Sequence, residues 1–352
     1  MKATRREFLS DTALAGVTAM FAGHAGSLTA AQAGVSTWAS RIGLELYTVR
    51  DLMATDYVGV LEKVAGIGYK EIEPAGGYGN LSPKEFRALL DRLGLSMPST
   101  HSGASGAGLE LEKQLEGFQT MGIKYTTISG GGRGGPGGAG RAGGAGRGAG
   151  RGPLPPGAYY DAGTGITHNS FTEAEAFGPY QPHVTLESVK QRAAALNANG
   201  RIVQKFGMKM LVHNHTGEFE KLADSPRTSY DVLIEETDPA LVTMQVDIGW
   251  VYIAGVDPIE LFKKYPGRFE LWHIKDVFGL KNVNPSLGPN ARVSSMTFVP
   301  VGVGQIDFKP VFANAVLAGL KHFVIEQDNA ATWGDSLSAA RISYQNMRTL
   351  LS

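Results

Sequence analysis

Seven short apolar runs in this chain end on residues that can move protons or hold a cation. In order they lead into Glu45-Leu46-Tyr47, Glu71-Ile72-Glu73, His101, His213-Asn214-His215 with Glu218 three positions on, Asp247, His273 followed by Lys275-Asp276, and Glu326-Gln327-Asp328. Cys is absent, so disulfides and thiolate sites are excluded, and a metal must be held by His, Asp and Glu. Asp247, His273 and Glu326, with one further ligand from the run ending at His213, make the strongest set. Carboxylates crowded into a poorly solvated cleft raise one another's pKa. A divalent cation relieves that penalty, and a mixed carboxylate and imidazole set suits Mn2+, Co2+, Zn2+ or Mg2+. The competing reading is a buried hydrogen-bond network without metal.

These groups need a scaffold that brings run ends together. Candidate strands begin near Ile42, Tyr69, Leu95, Lys124, Met208, Val242, Phe269 and Lys321, and four of the seven spacings are 26–29 residues. Between them lie amphipathic helices. Ser82-Pro83-Lys84-Glu85 is a capping box with Pro at the first helical position, Gly94 can close that helix, and Phe86, Leu89, Leu90 and Leu93 share one face. Asp257-Pro258 repeats the start, Asp56 caps a helix carrying Val60, Leu61 and Val64, and Asp307 one carrying Val311, Phe312 and Val316. Eight strand-then-helix units predict an α/β fold, a (β/α)8 TIM barrel whose chemistry collects at the C-terminal ends of the strands.

Residues 4–9, Thr-Arg-Arg-Glu-Phe-Leu, precede a mildly apolar run from Ala13 to Ala22 and the small residues Ala31-Gln32-Ala33. The pattern resembles a twin-arginine signal peptide over residues 1–33, and implies a periplasmic or otherwise extracytoplasmic protein with no stable membrane span once the signal is removed. The barrel is expected over 41–351, interrupted after its fourth strand by a Gly-rich, low-complexity insertion at 130–182 whose second part, from Tyr159 to Tyr180, is a candidate lid. With 33 acidic and 33 basic residues, no net field draws the chain to nucleic acid. Gly302-Val303-Gly304 lacks the third Gly of a dinucleotide fingerprint.

The segments Ile42–Arg50, Gly68–Glu73, Val212–Phe219, Gln245–Trp250, Leu271–Asp276, Val301–Asp307 and Val324–Asp328, in that order and spacing, resemble the sugar phosphate isomerase/epimerase superfamily of xylose isomerase-like TIM barrels. The resemblance implies a metal on four strand-end residues. Asp247, His273 and Glu326 fall on three of them. For the fourth, Glu218 is the first choice and His215 or His213 the alternatives. Glu45 stands where the family usually has Gln.

The reaction implied is proton abstraction beside a sugar carbonyl, through an enediolate, by an isomerase or epimerase. Expulsion of a β-substituent would make a lyase or dehydratase on the same site. Glu218 or Glu326 would move the proton. His101, Glu73 and Lys275 would hold hydroxyls or the developing oxyanion. Glu45, Tyr47, His213 and Trp250 complete the substrate set, with Tyr252 and Trp272 as further aromatic faces for a sugar ring. The substrate expected is a free sugar or keto-sugar, and the protein a possible homo-oligomer. Two other readings are a non-catalytic sugar-binding barrel and a metal-dependent hydrolase or nuclease-like barrel. The second would need more ligands and a basic groove.

Overall fold

A computed structural model describes residues 38–129, 159–161, 166–168, 182, 184–282, 292–293 and 296–352. The expected signal peptide and the Gly-rich core of the insertion lie outside the described residues, as does most of the candidate lid. Of the insertion, the structure describes an antiparallel pairing of Tyr159–Asp161 with Ile166–His168.

Seven strands form one parallel sheet in the order Glu71–Glu73, Gly43–Glu45, His322–Ile325, Leu271–Ile274, Val242–Asp247, Lys209–His213 and Tyr125–Thr126. The third expected strand, from Leu95, appears instead as two isolated parallel bridges, Ser96 to Glu71 and Ser99 to Tyr125. These join the first and last strands of the sheet and close the cylinder. Pro98 explains the broken ladder, since it has no N–H to donate. Its carbonyl still accepts from Lys124 N–H at 2.7 Å and Tyr125 N–H at 3.0 Å.

Helices follow each stave and cover the outside. The helix Pro83–Leu93 starts with the reciprocal Ser82–Glu85 capping box and ends at Gly94, whose φ of 65° is left-handed. Asp56, Asp257 and Asp307 each cap a helix through a carboxylate oxygen. Every residue of Val242–Asp247 is buried, as a parallel strand under helices requires. Trp272 stacks on Phe262 at 5.0 Å and meets Phe312 edge-on at 5.3 Å. It is therefore a packing residue between sheet and helices, with no face for a sugar ring. Val316 also departs from expectation: it is 81% exposed. The helix Phe308–Ala313 stops at Asn314 and a separate turn, Ala315–Ala318, resets the face.

Alternation along the strands sorts the barrel interior into layers. At the lower end Glu71 meets His322 and Arg41, and Glu270 meets Lys209, Lys321 and Tyr125. Tyr125, Leu211 and Leu271 form a small apolar cluster. Two residues on along the same strands stand His213 and His273, at the upper end.

Candidate active site

Asp247, His273 and Glu326 converge there: one donor atom from each lies within 4.8 Å of the others. Register explains the meeting, because Asp247 pairs with His273 across adjacent strands and Glu326 follows the neighbouring strand His322–Ile325. His273 Nδ1 lies 2.7 Å from Glu326 Oε2. Asp247 Oδ1 accepts from Trp250 N–H, capping the helix Ile248–Ile253. Asp247 Oδ2 is buried and has no hydrogen-bond partner. Lys275 Nζ lies 3.4 Å from it and His213 Nε2 4.0 Å.

Lys275 is buried, and its ammonium also lies 3.3 Å from Glu326 Oε2 and 2.8 Å from Asp328 Oδ2. Asp276, beside it in sequence, is not its ion-pair partner. The Asp276 carboxylate accepts from the N–H groups of Val277, Gly302, Gly304 and Ile306 and so fastens the 301–306 loop at the mouth. A Cβ on Gly304 would stand 2.1 Å from Asp276 Oδ1, which is why that position has no side chain.

Charge is shared unevenly. Burial opposes ionisation of Glu73, but the His273 imidazolium and hydrogen bonds from His101 and His273 outweigh it and hold its pKa well below the usual range. Burial likewise opposes ionisation of Glu326, and Lys275 and His273 overcome it. For Asp247 burial wins over Lys275 and raises the pKa. Burial, then the neighbouring Glu73 charge, pushes Glu45 well up. His273 is raised well above an ordinary imidazole because Glu73 and Glu326 outweigh burial, whereas burial and the neighbouring His273 and His101 hold His213 well down.

The remaining expected site residues separate into three groups. His101 and His213 are half-buried at the mouth and form with His273 a second convergent set; their rings lie 4.7–5.5 Å apart. Trp250 flanks the mouth, with His215 at 5.3 Å, Phe298 at 5.0 Å and Lys275 Nζ 5.0 Å from its ring centre. Tyr47 is half-buried beneath the Arg50 guanidinium, 3.8 Å from its ring centre. Glu45 and Glu73, expected to touch substrate, are fully buried at 0% exposure, with Glu73 enclosed by Ser99, Gln245, His101 and His273. Their short strands point them into the barrel axis, below the open face. Neither Glu218 nor His215 joins a convergent donor group among the described residues. Glu218 Oε2 instead accepts from His215 N–H at 2.9 Å, a local bond within the turn that carries both.

Gln245 and Phe298 were not singled out by sequence reasoning, and Asn214 and Asp328 appeared only within strand-end runs, without a role. Gln245 was findable, since it precedes Asp247 by two and shares its face. Phe298 gave no signal, because its strand, Thr297–Val299, pairs with Asp276–Phe278 only after a long connection.

No family model matches the chain. An inosose dehydratase of Clostridium tetani is 34% identical over 137 residues, which are 38% of this chain and 44% of that protein, so the likeness spans less than half of the relative's length. A sugar phosphate isomerase/epimerase of Parabacteroides distasonis superposes with a TM-score of 0.59 at 17% identity, covering 87% of this chain and 96% of that one. The IolI protein, solved with a bound zinc atom, superposes with a TM-score of 0.55 at 14% identity over 89% and 98% of the two chains. These likenesses establish the fold, a parallel α/β barrel of the xylose isomerase-like kind.

Proposed function

We propose that the protein is a divalent-metal-dependent enzyme that removes a proton beside the carbonyl of a sugar-like polyhydroxy ketone and then expels the β-hydroxyl as water. The observation that carries this reading is the convergence of Asp247, His273 and Glu326, with Asp247 Oδ2 buried, without a hydrogen bond and faced by the Lys275 ammonium at 3.4 Å. A buried carboxylate oxygen without a hydrogen bond is costly unless a cation takes it. Oxygen and imidazole donors without thiolate fit the borderline divalent ions. When bound, the cation supplies positive charge to the carbonyl oxygen as negative charge develops on it.

The chain's own residues do the rest. His101 presents Nδ1 to Glu73 at 3.3 Å, which leaves its other nitrogen to take the α-proton. The electron pair moves onto the carbonyl oxygen to give an enediolate. Its collapse breaks the β-carbon–oxygen bond, and Glu218, the mouth carboxylate outside the cation group, protonates the leaving hydroxyl. Water is the only by-product. Lys275 holds Asp247, Glu326 and Asp328 together, and Trp250 with Phe298 walls the substrate. The similarity to inosose dehydratases favours elimination. The shared fold with an isomerase/epimerase supports a second outcome, in which the proton returns to a neighbouring carbon instead.

Incubation with inososes and keto-sugars in deuterated water, with Mn2+ added and with chelator as control, tests the reading. Metal-dependent loss of water, or deuterium at the carbon beside the carbonyl, is expected. Turnover with neither exchange nor elimination at that carbon would sink it.

Cation affinity should rise with pH. The raised pKa of His273 means that the metal-free imidazole is protonated at neutral pH, so a cation at Nδ1 must expel a proton. Loss of one proton predicts affinity falling about tenfold per pH unit as the solution is acidified below that pKa. Calorimetry in buffers of different ionisation enthalpy measures the proton count; a count of zero contradicts the assignment. Export by the twin-arginine route is proposed on residues 4–33, and fractionation of cells expressing an Arg5→Lys, Arg6→Lys variant tests it.

A further inference from the structure

Beneath the cation group lies a buried pair, Glu73 and Gln245, both at 0% exposure; the reaction above uses Glu73 only as the partner of His101 and gives Gln245 no task. Glu73 accepts from Ser99 Oγ–H and from Gln245 Nε2–H at 2.7 Å, and also faces His273 Nε2 at 3.2 Å and His101 Nδ1 at 3.3 Å. An ionised carboxylate only accepts hydrogen bonds. Gln245 must therefore turn its amide nitrogen to Glu73, which leaves its Oε1 against His213 Nδ1 at 3.2 Å. That oxygen also only accepts, so His213 Nδ1 carries the proton and the lone pair stands on Nε2. Nε2 is the atom 4.0 Å from Asp247 Oδ2, the buried oxygen that lacks a hydrogen bond. The same rule puts protons on both nitrogens of metal-free His273, Nε2 toward Glu73 and Nδ1 toward Glu326, and Nδ1 is the nitrogen that a cation beside Glu326 and Asp247 would take, expelling its proton.

We infer that Glu73 and Gln245 form a buried relay that fixes His213 as the Nδ1–H tautomer and keeps a proton on His273 Nε2, so that His213 Nε2 and, once its proton is expelled, His273 Nδ1 are presented to one divalent cation together with Asp247 and Glu326. The fourth ligand is then His213, in preference to Glu218 or His215: its Nε2 lies 4.0 Å from Asp247 Oδ2, and because its ring converges with His101 and His273 and not yet with Glu326, it closes on the group when the cation binds. The cation part rests on the proposed function; the tautomer part does not. Glu73 and Gln245 are positioning residues, acting through the two imidazoles as outer partners of metal-bound histidines do. Glu45, Glu73, His101 and His273 also place donor atoms within 4.8 Å of one another. Glu73 already has four donors around it, so this second group is read as the base of the first site and not as a second cation site.

Long-range proton–nitrogen spectra of metal-free protein carrying 15N-labelled His, with the His213 signals assigned through His213→Gln, test the relay. His213 should appear as the Nδ1–H tautomer. Glu73→Gln offers both donor and acceptor, so Gln245 is no longer forced and the His213 tautomers should mix. Gln245→Met removes the bonds to both Glu73 and His213 but leaves Glu73 its contacts with Ser99, His101 and His273, and serves if the first variant fails to fold. Zn2+ titration should give one equivalent bound in the wild type and an affinity about 10–100-fold lower in either variant, with unchanged far-ultraviolet circular dichroism. An Nε2–H tautomer at His213 in the wild type overturns the relay. So does Zn2+ affinity within twofold of wild type in both variants with unmoved tautomers. Binding of two equivalents overturns the single-cation assignment. A wild type that holds the expected tautomer but binds no Zn2+ overturns the metal reading of the function and leaves the relay intact.

Discussion

Asp247→Asn is expected to abolish tight cation binding and, with it, turnover, while leaving the fold in place. Asn keeps the volume and the Oδ1 that caps the helix Ile248–Ile253 through Trp250 N–H, and Lys275 loses one counter-charge but keeps Glu326 and Asp328, so the fold is retained. The other oxygen becomes an NH2 group. Where a bare acceptor now faces Lys275 Nζ at 3.4 Å and His213 Nε2 at 4.0 Å, the variant offers a donor and no charge. Losing an outer partner of a metal ligand typically costs roughly 10–100-fold in affinity, so losing the ligand itself should cost about 1000-fold or more. Elemental analysis of the purified variant and chelator competition read the loss, with circular dichroism as the folding control. Wild-type metal content and affinity in a folded Asp247→Asn protein would remove the basis of the proposed function.

Lys275→Met is expected to destabilise the metal-free protein strongly and to make its stability depend on added cation. The buried ammonium lies between Asp247, Glu326 and Asp328, at 3.4, 3.3 and 2.8 Å. Met fills much the same volume but leaves these carboxylates facing one another. Removing one partner from a buried ion pair costs about 3–5 kcal/mol. A divalent ion binding the native state offsets that loss by mass action, so the rise in Tm on adding Zn2+ or Mn2+ should be larger in the variant than in the wild type. Thermal unfolding in chelator and in excess metal measures both arms. If the chelator-treated variant melts with the wild type, Lys275 does not neutralise the cluster.

The difference between what was legible and what was not follows the range of the interaction. The helix starts at Ser82, Asp257, Asp307 and Asp56 depend on bonds within three residues, and the structure reproduces each of them. Strand ends are fixed by short apolar runs, so Asp247, His273 and Glu326 could be read as neighbours once parallel strands were expected. Val316 shows the limit of the same reasoning: a helical face was carried past Asn314, where the backbone leaves the helix. The third stave was legible as an apolar run, but the bridging role of Pro98 depended on what stood on either side of it.

Sequence alone determined the barrel, the order of its polar strand ends and the absence of thiol chemistry, because these follow from composition, periodicity and capping, which act within a turn or a strand. Tertiary structure decided how the ionisable side chains are shared. His213, Gln245, Glu73 and His273 meet across 200 residues of chain, and Glu218 is held aside by His215 three residues away. Hydrogen-bond direction and desolvation depend on every group within a few ångströms of a buried atom, and only the closed cylinder says which groups those are.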